Sequence, residues 1–316
     1  MITVAVPNQA VADQIGALGD DARLIVWNPA NGDVPADERD NVNVACIEHY
    51  GRDPRIYERL GDCPHLKVLQ IPSAGYEHVV PFVPSGVALA NARGVNDSRV
   101  AEMTLALALA SRRLLPQFQD AQRRETWEPV FYTPGLYDSR TLIVGYGSIG
   151  SAIATRLRAC EVHVEGVARS ARIAPDGTTV HAVGDLPGLL PQFDVVIVVT
   201  PHSEETDKMV DAAFLAAMPD GALLINVGRG KVVDTDALVA ELESGRLYAA
   251  LDVTDPEPLP TGHPLWSAPH SIVIPHVAGG EPLTSRRYAE LVRAQVDALR
   301  RGHQPVNFVM TGGSPA

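Results

Sequence analysis

The sequence has few cysteines and lacks the spacings that cysteine chemistry requires. Its three cysteines, Cys46, Cys63 and Cys160, are odd in number, far apart in the chain and outside any C-x-x-C pattern. Such usage is typical of a reducing compartment rather than of a secreted disulfide framework. We therefore predict a cytoplasmic protein without a metal site.

Two further absences exclude classes of partner. The formal net charge of −12 at pH 7 disfavours nonspecific binding to nucleic acids and to anionic membranes. The apolar stretch 103–110 is far short of the roughly 20 residues that a membrane helix needs. The N-terminal MITVAVP has no basic region followed by a long apolar stretch, so we expect it to form a first strand. We predict neither a nucleic-acid partner nor a membrane partner.

The length and the apolar pattern predict two α/β domains. A chain of 316 residues exceeds the size at which a single core usually stops growing. Short apolar runs alternate with helical or turn segments, which is typical of parallel α/β sheets. The predicted strands are residues 2–6, 24–27, 42–47, 67–71, 87–91, 142–144, 162–168, 194–200, 222–227, 249–253 and 272–274.

A glycine-rich turn at residues 142–150, LIVGYGSIG, indicates a dinucleotide site. Gly145 permits a tight turn, Gly147 lets the backbone approach a pyrophosphate, and Gly150 allows close packing of helix on strand. The following helix presents unpaired N–H groups to phosphates. We assign Tyr146, Ser148 and Ile149 of the same turn to the cofactor as well.

The end of the next strand bears on the choice of cofactor. An NAD site usually has an acidic residue about 20 positions past the glycines. The chain instead has Arg169, Ser170 and Arg172 there, and Glu165 lies too early, inside the strand. Arginine and serine suit a ribose 2′-phosphate. We predict a preference for NADP(H) with NAD(H) as the alternative; otherwise these three are solvated loop residues.

Polar residues follow three of the later strands. Arg229, Glu257 and His276 each come just after an apolar run. Each alone is more often structural, but the carboxyl ends of parallel strands meet at one edge. A fixed cation and a carboxylate–imidazole pair would therefore converge there. An earlier small-residue loop, 72–76, also follows a strand and is either a ligand loop or a plain turn.

The chain resembles the D-isomer-specific 2-hydroxyacid dehydrogenase family. The resemblance runs from about Leu66 to the last helix and rests on five motifs. They are GYGSIG at 145–150, INVGRG at 225–230, ALDVTDPEPLP at 250–260, HPLW at 263–266 and PHVAG at 275–279. The later motifs, in this order and spacing, are much more specific than the glycine turn.

The resemblance implies a fold and a domain division. We expect a Rossmann-type doubly wound parallel sheet in residues 97–282, which would bind the cofactor. Residues 1–96 and 283–316 would form a flavodoxin-like α/β substrate domain made from both ends of the chain. Hinges are expected near residues 95–96 and 282. The family also implies a homodimer, and we expect no extra regulatory domain after the last helix.

The resemblance further implies roles for individual residues. Arg229 would bind the substrate carboxylate and carbonyl, His276 would donate and accept the proton, and Glu257 would pair with His276. Asp252 matches the position that contacts the nicotinamide carboxamide. The remaining matches are Ser73, Ala74, Gly75 and Tyr76 for the substrate carboxylate, and Thr200, Pro201 and Val227 for the cofactor.

We therefore predict NAD(P)H-dependent reduction of a small 2-oxo acid to the D-2-hydroxy acid, as in glyoxylate/hydroxypyruvate reductases. Oxidation of 3-phosphoglycerate is an alternative with the same chemistry. It is weakened because Tyr76, Glu77 and His78 offer no fixed cation for a phosphate. A non-catalytic NAD(P)-sensing protein is the alternative from another class.

Overall fold

A computed structural model describes residues 1–48, 53–130, 132–280 and 282–313. The first part of the chain contains strands β1 (Ile2–Val6), β2 (Ala22–Val26), β3 (Val42–Cys46), β4 (Val68–Gln70) and β5 (Ala88–Ala90), with helices α1 (Gln9–Ile15) and α2 (Pro54–Gly61).

The middle and the end of the chain contain more elements. The helices are α3 (Asp97–Arg112), α4 (Leu115–Arg123), α5 (Ser148–Arg158), α6 (Leu186–Leu189), α7 (Ala212–Ala217), α8 (Thr235–Glu243) and α9 (Arg286–Arg300). The strands are β6 (Arg140–Val144), β7 (His163–Ala168), β8 (Arg172–Ile173), β9 (Thr179–Ala182), β10 (Val195–Val198), β11 (Leu223–Asn226), β12 (Tyr248–Leu251), β13 (Ser271–Val273) and β14 (Phe308–Thr311).

The described chain divides into two compact units. Unit 1 comprises Met1–Asn96 and the described residues from Gly280 onward, and unit 2 comprises Asp97–Gly279. The sheet of unit 1 has the order β14-β5-β4-β3-β1-β2, and β14 pairs antiparallel to β5 while the other strands are parallel. The five parallel strands have the order of flavodoxin-like sheets, as predicted.

Unit 2 contains an eight-stranded sheet with the order β13-β12-β11-β10-β6-β7-β9-β8. Its first six parallel strands along the chain are β6, β7, β9, β10, β11 and β12. Their order in the sheet is that of a Rossmann fold, which confirms the predicted fold class. The sequence analysis assigned no strand between residues 168 and 194, although β8 and β9 lie there. Only Val180 of β9 is buried, so this strand lacks the apolar run that marks its neighbours.

Each sheet buries side chains on both faces, as a parallel sheet covered by helices requires. In β6, Ile143 packs into one core while Leu142 and Val144 pack into the core on the other face. In β10, Ile197 and Val198 alternate in the same way, and both are completely buried. The near-continuous apolar runs in the sequence therefore reflect burial on two sides.

Helix ends follow local sequence signals. Asp234 caps α8 by accepting a hydrogen bond from the backbone N–H of Ala237 (3.2 Å), and Gly245 follows the helix with φ 73°. In helix α3, Leu107 is buried and Leu109 is 36% exposed. No helix in the described ranges is long and apolar enough to cross a membrane.

Candidate active site

The parallel register of unit 2 brings five strand ends into one row. The last residue of β10, Val198, pairs with Val144 of β6 and with Asn226 of β11. Asn226 pairs with Leu251 of β12, which in turn pairs with Val273 of β13. The loops that carry the glycine turn, Arg229, Glu257 and His276 therefore all start from the same edge of one sheet.

His276 and Glu257 form a hydrogen-bonded pair at this edge. The imidazole Nδ1 lies 2.8 Å from Glu257 Oε1, and the two side chains are 36% and 41% exposed. His276 has φ 51°, in the left-handed region that non-glycine residues seldom adopt. A carboxylate at Nδ1 sets the orientation and tautomer of the ring, which leaves Nε2 for a ligand.

Asp252 holds the loop that carries His276. Its carboxylate oxygen Oδ1 accepts hydrogen bonds from the backbone N–H groups of Val277 (2.7 Å) and Ala278 (3.1 Å). Its carbonyl accepts from the backbone N–H of His276 (2.8 Å). Burial raises the pKa of the Asp252 carboxyl, and these two donors oppose that rise. Sequence reasoning missed this loop-holding role because the partners lie in the loop after β13, distant from Asp252 in the chain.

Arg229 is held between two glycines that pack tightly. A Cβ at Gly228 would lie 2.6 Å from the carbonyl oxygen of Thr200, and one at Gly230 would lie 1.9 Å from that of Thr254. The loop after β11 thus packs backbone to backbone against the loops after β10 and β12. The half-buried Arg229 donates from Nη1 to the carbonyl of Gly228 at 2.8 Å, which orients the guanidinium.

The glycine turn has the features that a dinucleotide needs. Gly145 has φ 105°, and a Cβ at Gly150 would lie 2.8 Å from the Gly145 carbonyl oxygen, so both positions require glycine. A Cβ at Gly147 would meet no protein atom within 4 Å, and no side chain caps the following helix α5. Nearby, Thr200 Oγ1 is buried without a partner among the described residues. Open space, free helix N–H groups and an unsatisfied hydroxyl fit a bound pyrophosphate and ribose.

The other predicted cofactor residues differ in their accessibility. The Tyr146 side chain is buried, and its backbone N–H donates to Val167 within the protein (2.9 Å). Val227 is also buried, and Pro201 is exposed. Ser148 and Ile149 form the first turn of α5.

The residues after β7 are accessible, and the acid before them has structural partners. Arg169 and Ser170 are exposed in the turn, whereas Arg172 begins strand β8 rather than lying in a loop. Glu165 bonds to His181 (2.6 Å) and Arg140 (3.3 Å).

The predicted substrate loop lies in unit 1, after β4. Ser73 Oγ donates to the carbonyl of Gly75 (2.6 Å), and Asn91 Nδ2 donates to the carbonyl of Ala74 (2.7 Å). These bonds give the loop a defined shape. Asn91, the residue that follows β5, therefore helps to fix the main-chain geometry of this loop.

Tyr76 of this loop lines a cavity of about 200 Å³ in unit 1. Arg93, exposed and just beyond β5, lines the same cavity. Sequence reasoning found no cation near the loop, because Arg93 lies on the next strand–loop segment along the chain. Arg93 is therefore a cation that the expectation for Tyr76, Glu77 and His78 did not cover.

The edge of the unit 2 sheet combines a dinucleotide turn, a guanidinium and an imidazole–carboxylate pair. Within the described ranges, no group of three or more His, Cys, Asp or Glu side chains could hold a metal ion. This arrangement is typical of the oxidoreductases that use a nicotinamide cofactor.

Comparisons with known proteins agree. Residues 105–278 match the model of the D-isomer specific 2-hydroxyacid dehydrogenase NAD binding domain. Glyoxylate reductase from Thermofilum pendens is 31% identical over 292 residues, covering 90% of this chain and 85% of the relative. Human glyoxylate reductase/hydroxypyruvate reductase is 31% identical over 79% of this chain and 78% of its own.

Two solved structures are similar over nearly the whole chain. A D-isomer specific 2-hydroxyacid dehydrogenase from Xanthobacter autotrophicus Py2, in complex with NADPH and MES, has a TM-score of 0.83 at 28% identity and covers 98% of both chains. An NADPH-dependent glyoxylate/hydroxypyruvate reductase from Sinorhizobium meliloti, in complex with citrate, has a TM-score of 0.75 at 29% identity, again over 98% of both chains. The chain belongs to the D-isomer specific 2-hydroxyacid dehydrogenase family and is an NAD(P)-dependent oxidoreductase.

Proposed function

We propose that the protein reduces a small 2-oxo acid to the corresponding D-2-hydroxy acid, in the manner of glyoxylate/hydroxypyruvate reductases. The observation that carries this proposal is the 2.8 Å contact between His276 and Glu257, on the sheet edge that also bears Arg229 and the glycine turn. The names of the Thermofilum and human relatives support the same substrate class.

The reduction needs a hydride, a proton and a fixed substrate. A nicotinamide held at the glycine turn would supply the hydride. His276 Nε2 donates the proton to the carbonyl oxygen and accepts it in the reverse direction, because an imidazole nitrogen can act both as a general acid and as a general base. Glu257 keeps the ring oriented through Nδ1. Arg229 binds the substrate carboxylate by charge-assisted hydrogen bonds and polarises the carbonyl.

We assign the cofactor preference to NADP(H), with NAD(H) as the alternative. Arg169, Ser170 and Arg172 would bind the ribose 2′-phosphate, and no acidic residue stands at the end of β7 to repel it. The NADPH complex of the Xanthobacter relative and the NADPH dependence of the Sinorhizobium relative support this choice.

We assign substrate binding to Ser73, Ala74, Gly75 and Tyr76 and contact with the nicotinamide carboxamide to Asp252. The predicted domain ranges, 1–96 with 283–316 and 97–282, differ from the two compact units at residues 280–282. The homodimer, the cytoplasmic location and hinges near residues 95–96 and 282 stay predictions.

A second candidate is oxidation of a phosphorylated 2-hydroxy acid such as 3-phosphoglycerate. Arg93, which lines the same cavity as Tyr76, favours it, because a distal phosphate on the substrate requires a cation. The two candidates share the hydride chemistry and differ in the substrate's far end.

A substrate panel tests the proposal. The protein is mixed with NADPH or NADH and with glyoxylate, hydroxypyruvate or other 2-oxo acids, and nicotinamide absorbance is followed. We expect rapid oxidation of NADPH with a small 2-oxo acid and slower oxidation of NADH. A parallel assay supplies 3-phosphoglycerate with NADP⁺ or NAD⁺ as the hydride acceptor, and turnover confined to that assay would favour the second candidate. Tight cofactor binding without turnover of any acid would favour the NAD(P)-sensing alternative.

A further inference from the structure

Tyr146 packs inside the protein instead of facing a ligand. It is the second residue of the glycine turn and is 3% exposed. A Cβ at Gly166 of β7 would lie 2.4 Å from the Tyr146 ring, so the absence of a side chain at Gly166 makes room for it. The ring therefore fixes the glycine turn against the strand that precedes Arg169.

The Tyr146 hydroxyl ends in a polar cluster centred on Asp176, in the turn between β8 and β9. It lies 2.7 Å from Asp176 Oδ2 and 2.6 Å from Thr178 Oγ1. The same carboxylate accepts from Ser151 Oγ (3.2 Å) and Arg158 Nη1 (3.3 Å), both on α5. Asp176 thus joins the glycine turn, helix α5 and the β8–β9 hairpin.

Asp176 is the carboxylate of this cluster, and its charged form is favoured. Burial opposes ionisation of Asp176, but hydrogen bonds from Thr178, Tyr146 and Arg158 outweigh it and hold the pKa of the carboxyl well below its usual value. A charged acceptor strengthens each of these hydrogen bonds. The β8–β9 hairpin is therefore anchored at its turn by the carboxylate of Asp176.

The anchored hairpin carries Arg172. Strand β8 pairs with β9 through Arg172 opposite Val180, and Arg172 Nη2 donates to the backbone carbonyl of Tyr146 at 2.6 Å. The Tyr146 hydroxyl thus holds the turn that contains Asp176, and the Tyr146 backbone carbonyl holds the Arg172 guanidinium. Both contacts depend on the same residue of the glycine turn.

We propose that Tyr146 and Asp176 are positioning residues that hold the β8–β9 hairpin and the Arg172 guanidinium at the glycine turn, and thereby set the preference for a phosphorylated dinucleotide. Neither side chain touches the cofactor in this proposal. A guanidinium ordered before binding loses less side-chain freedom when it meets a 2′-phosphate. The inference rests on the proposed NADP(H) preference.

The test measures dissociation constants for NADPH and NADH by protein fluorescence in Tyr146→Phe and Asp176→Asn. We expect Tyr146→Phe to weaken NADPH binding about fivefold, the effect of losing one hydrogen bond, and Asp176→Asn to weaken it at least as much, with NADH binding weakened less than about twofold by either. Tyr137→Phe is the matched control, because Tyr137 is 74% exposed, and it should change neither constant. Equal weakening for both cofactors would indicate a merely structural role and would overturn the inference.

A double-mutant cycle with Arg172→Ala separates the inference from the function on which it rests. If Tyr146 acts through Arg172, Tyr146→Phe should cause no further loss of NADPH affinity in the Arg172→Ala background. Independent, additive losses would contradict that route. If Arg172→Ala alone leaves the NADPH preference intact, Arg172 recognition of the phosphate fails together with the inference. If Arg172→Ala abolishes the preference while Tyr146→Phe and Asp176→Asn do not, only the positioning role fails.

Discussion

His276 Nδ1 lies 2.8 Å from Glu257 Oε1, although the two residues are 19 positions apart and follow different strands. The contact exists because β12 and β13 are adjacent parallel strands whose loops leave the sheet at neighbouring positions. Asp252, at the end of β12, completes the arrangement by holding the backbone of the His276 loop. His276 is thus held at its ring by Glu257, and the backbone of its loop is held by Asp252.

Replacement of His276 should remove proton transfer without removing the cofactor site. We expect His276→Ala to lower kcat by about 10²- to 10⁴-fold, the usual contribution of general acid–base catalysis, with cofactor affinity unchanged. Steady-state kinetics and fluorescence titration check the two parts. His163→Ala is the control, since His163 forms an exposed pair with Asp138 (3.2 Å) elsewhere in unit 2. Near wild-type turnover in His276→Ala would exclude the assigned role.

Replacement of Glu257 should act through the orientation of His276. We expect Glu257→Gln to lower kcat by up to about a hundredfold, because a mispositioned acid–base group transfers protons poorly. The KM for the 2-oxo acid should change little. In the double variant with His276→Ala, turnover should be no lower than in His276→Ala alone. A multiplicative loss in the double variant would show that Glu257 acts separately.

Two glycines of the same turn should respond differently to alanine. A Cβ at Gly150 would lie 2.8 Å from the Gly145 carbonyl, whereas one at Gly147 meets no protein atom within 4 Å. We expect Gly150→Ala to lower the free energy of unfolding by about 1–3 kcal/mol through overpacking. Gly147→Ala should cost less than about 1 kcal/mol and mainly weaken cofactor binding. Unfolding curves and cofactor titrations distinguish them, and unchanged affinity in Gly147→Ala would count against a pyrophosphate there.

The buried carboxyl of Asp252 should make the protein less stable as pH rises. Its folded-state pKa is raised above 3.8 by burial, so the folded protein binds more protons than the unfolded chain above that pH. The contribution of Asp252 to the free energy of unfolding should therefore fall as pH rises from 3.8 to its folded-state pKa. Asp252→Asn keeps an oxygen acceptor without a charge, and its stability relative to wild type should increase over this window.

Asp176 should contribute to stability with the opposite pH dependence from Asp252. Its folded-state pKa is lowered, so its stabilising contribution is present above 3.8 and is lost on acidification. Denaturant unfolding from about pH 3 to about pH 7 should show that the stability deficit of Asp176→Asn relative to wild type shrinks as pH falls.

The same unfolding measurements test Asp252. A relative stability of Asp252→Asn that does not rise with pH would contradict the effect of burial on the pKa of Asp252.

Most of the fold was readable from local patterns. The runs at β6, β10 and β11 are apolar throughout because both faces of the sheet are covered, so their strands were predicted correctly. Strand β9 was missed because only Val180 in it is buried.

The sequence by itself determined the kinds of groups available: a glycine turn, a guanidinium, a carboxylate and an imidazole after successive strands. These follow from local spacing, because strand and turn patterns report backbone conformation and burial. Only the tertiary structure decided which groups meet: Asp252 with the His276 loop, Asp176 with Tyr146, and Arg93 beside Tyr76. Such contacts depend on strand register and packing between residues distant in the chain, which no local pattern encodes.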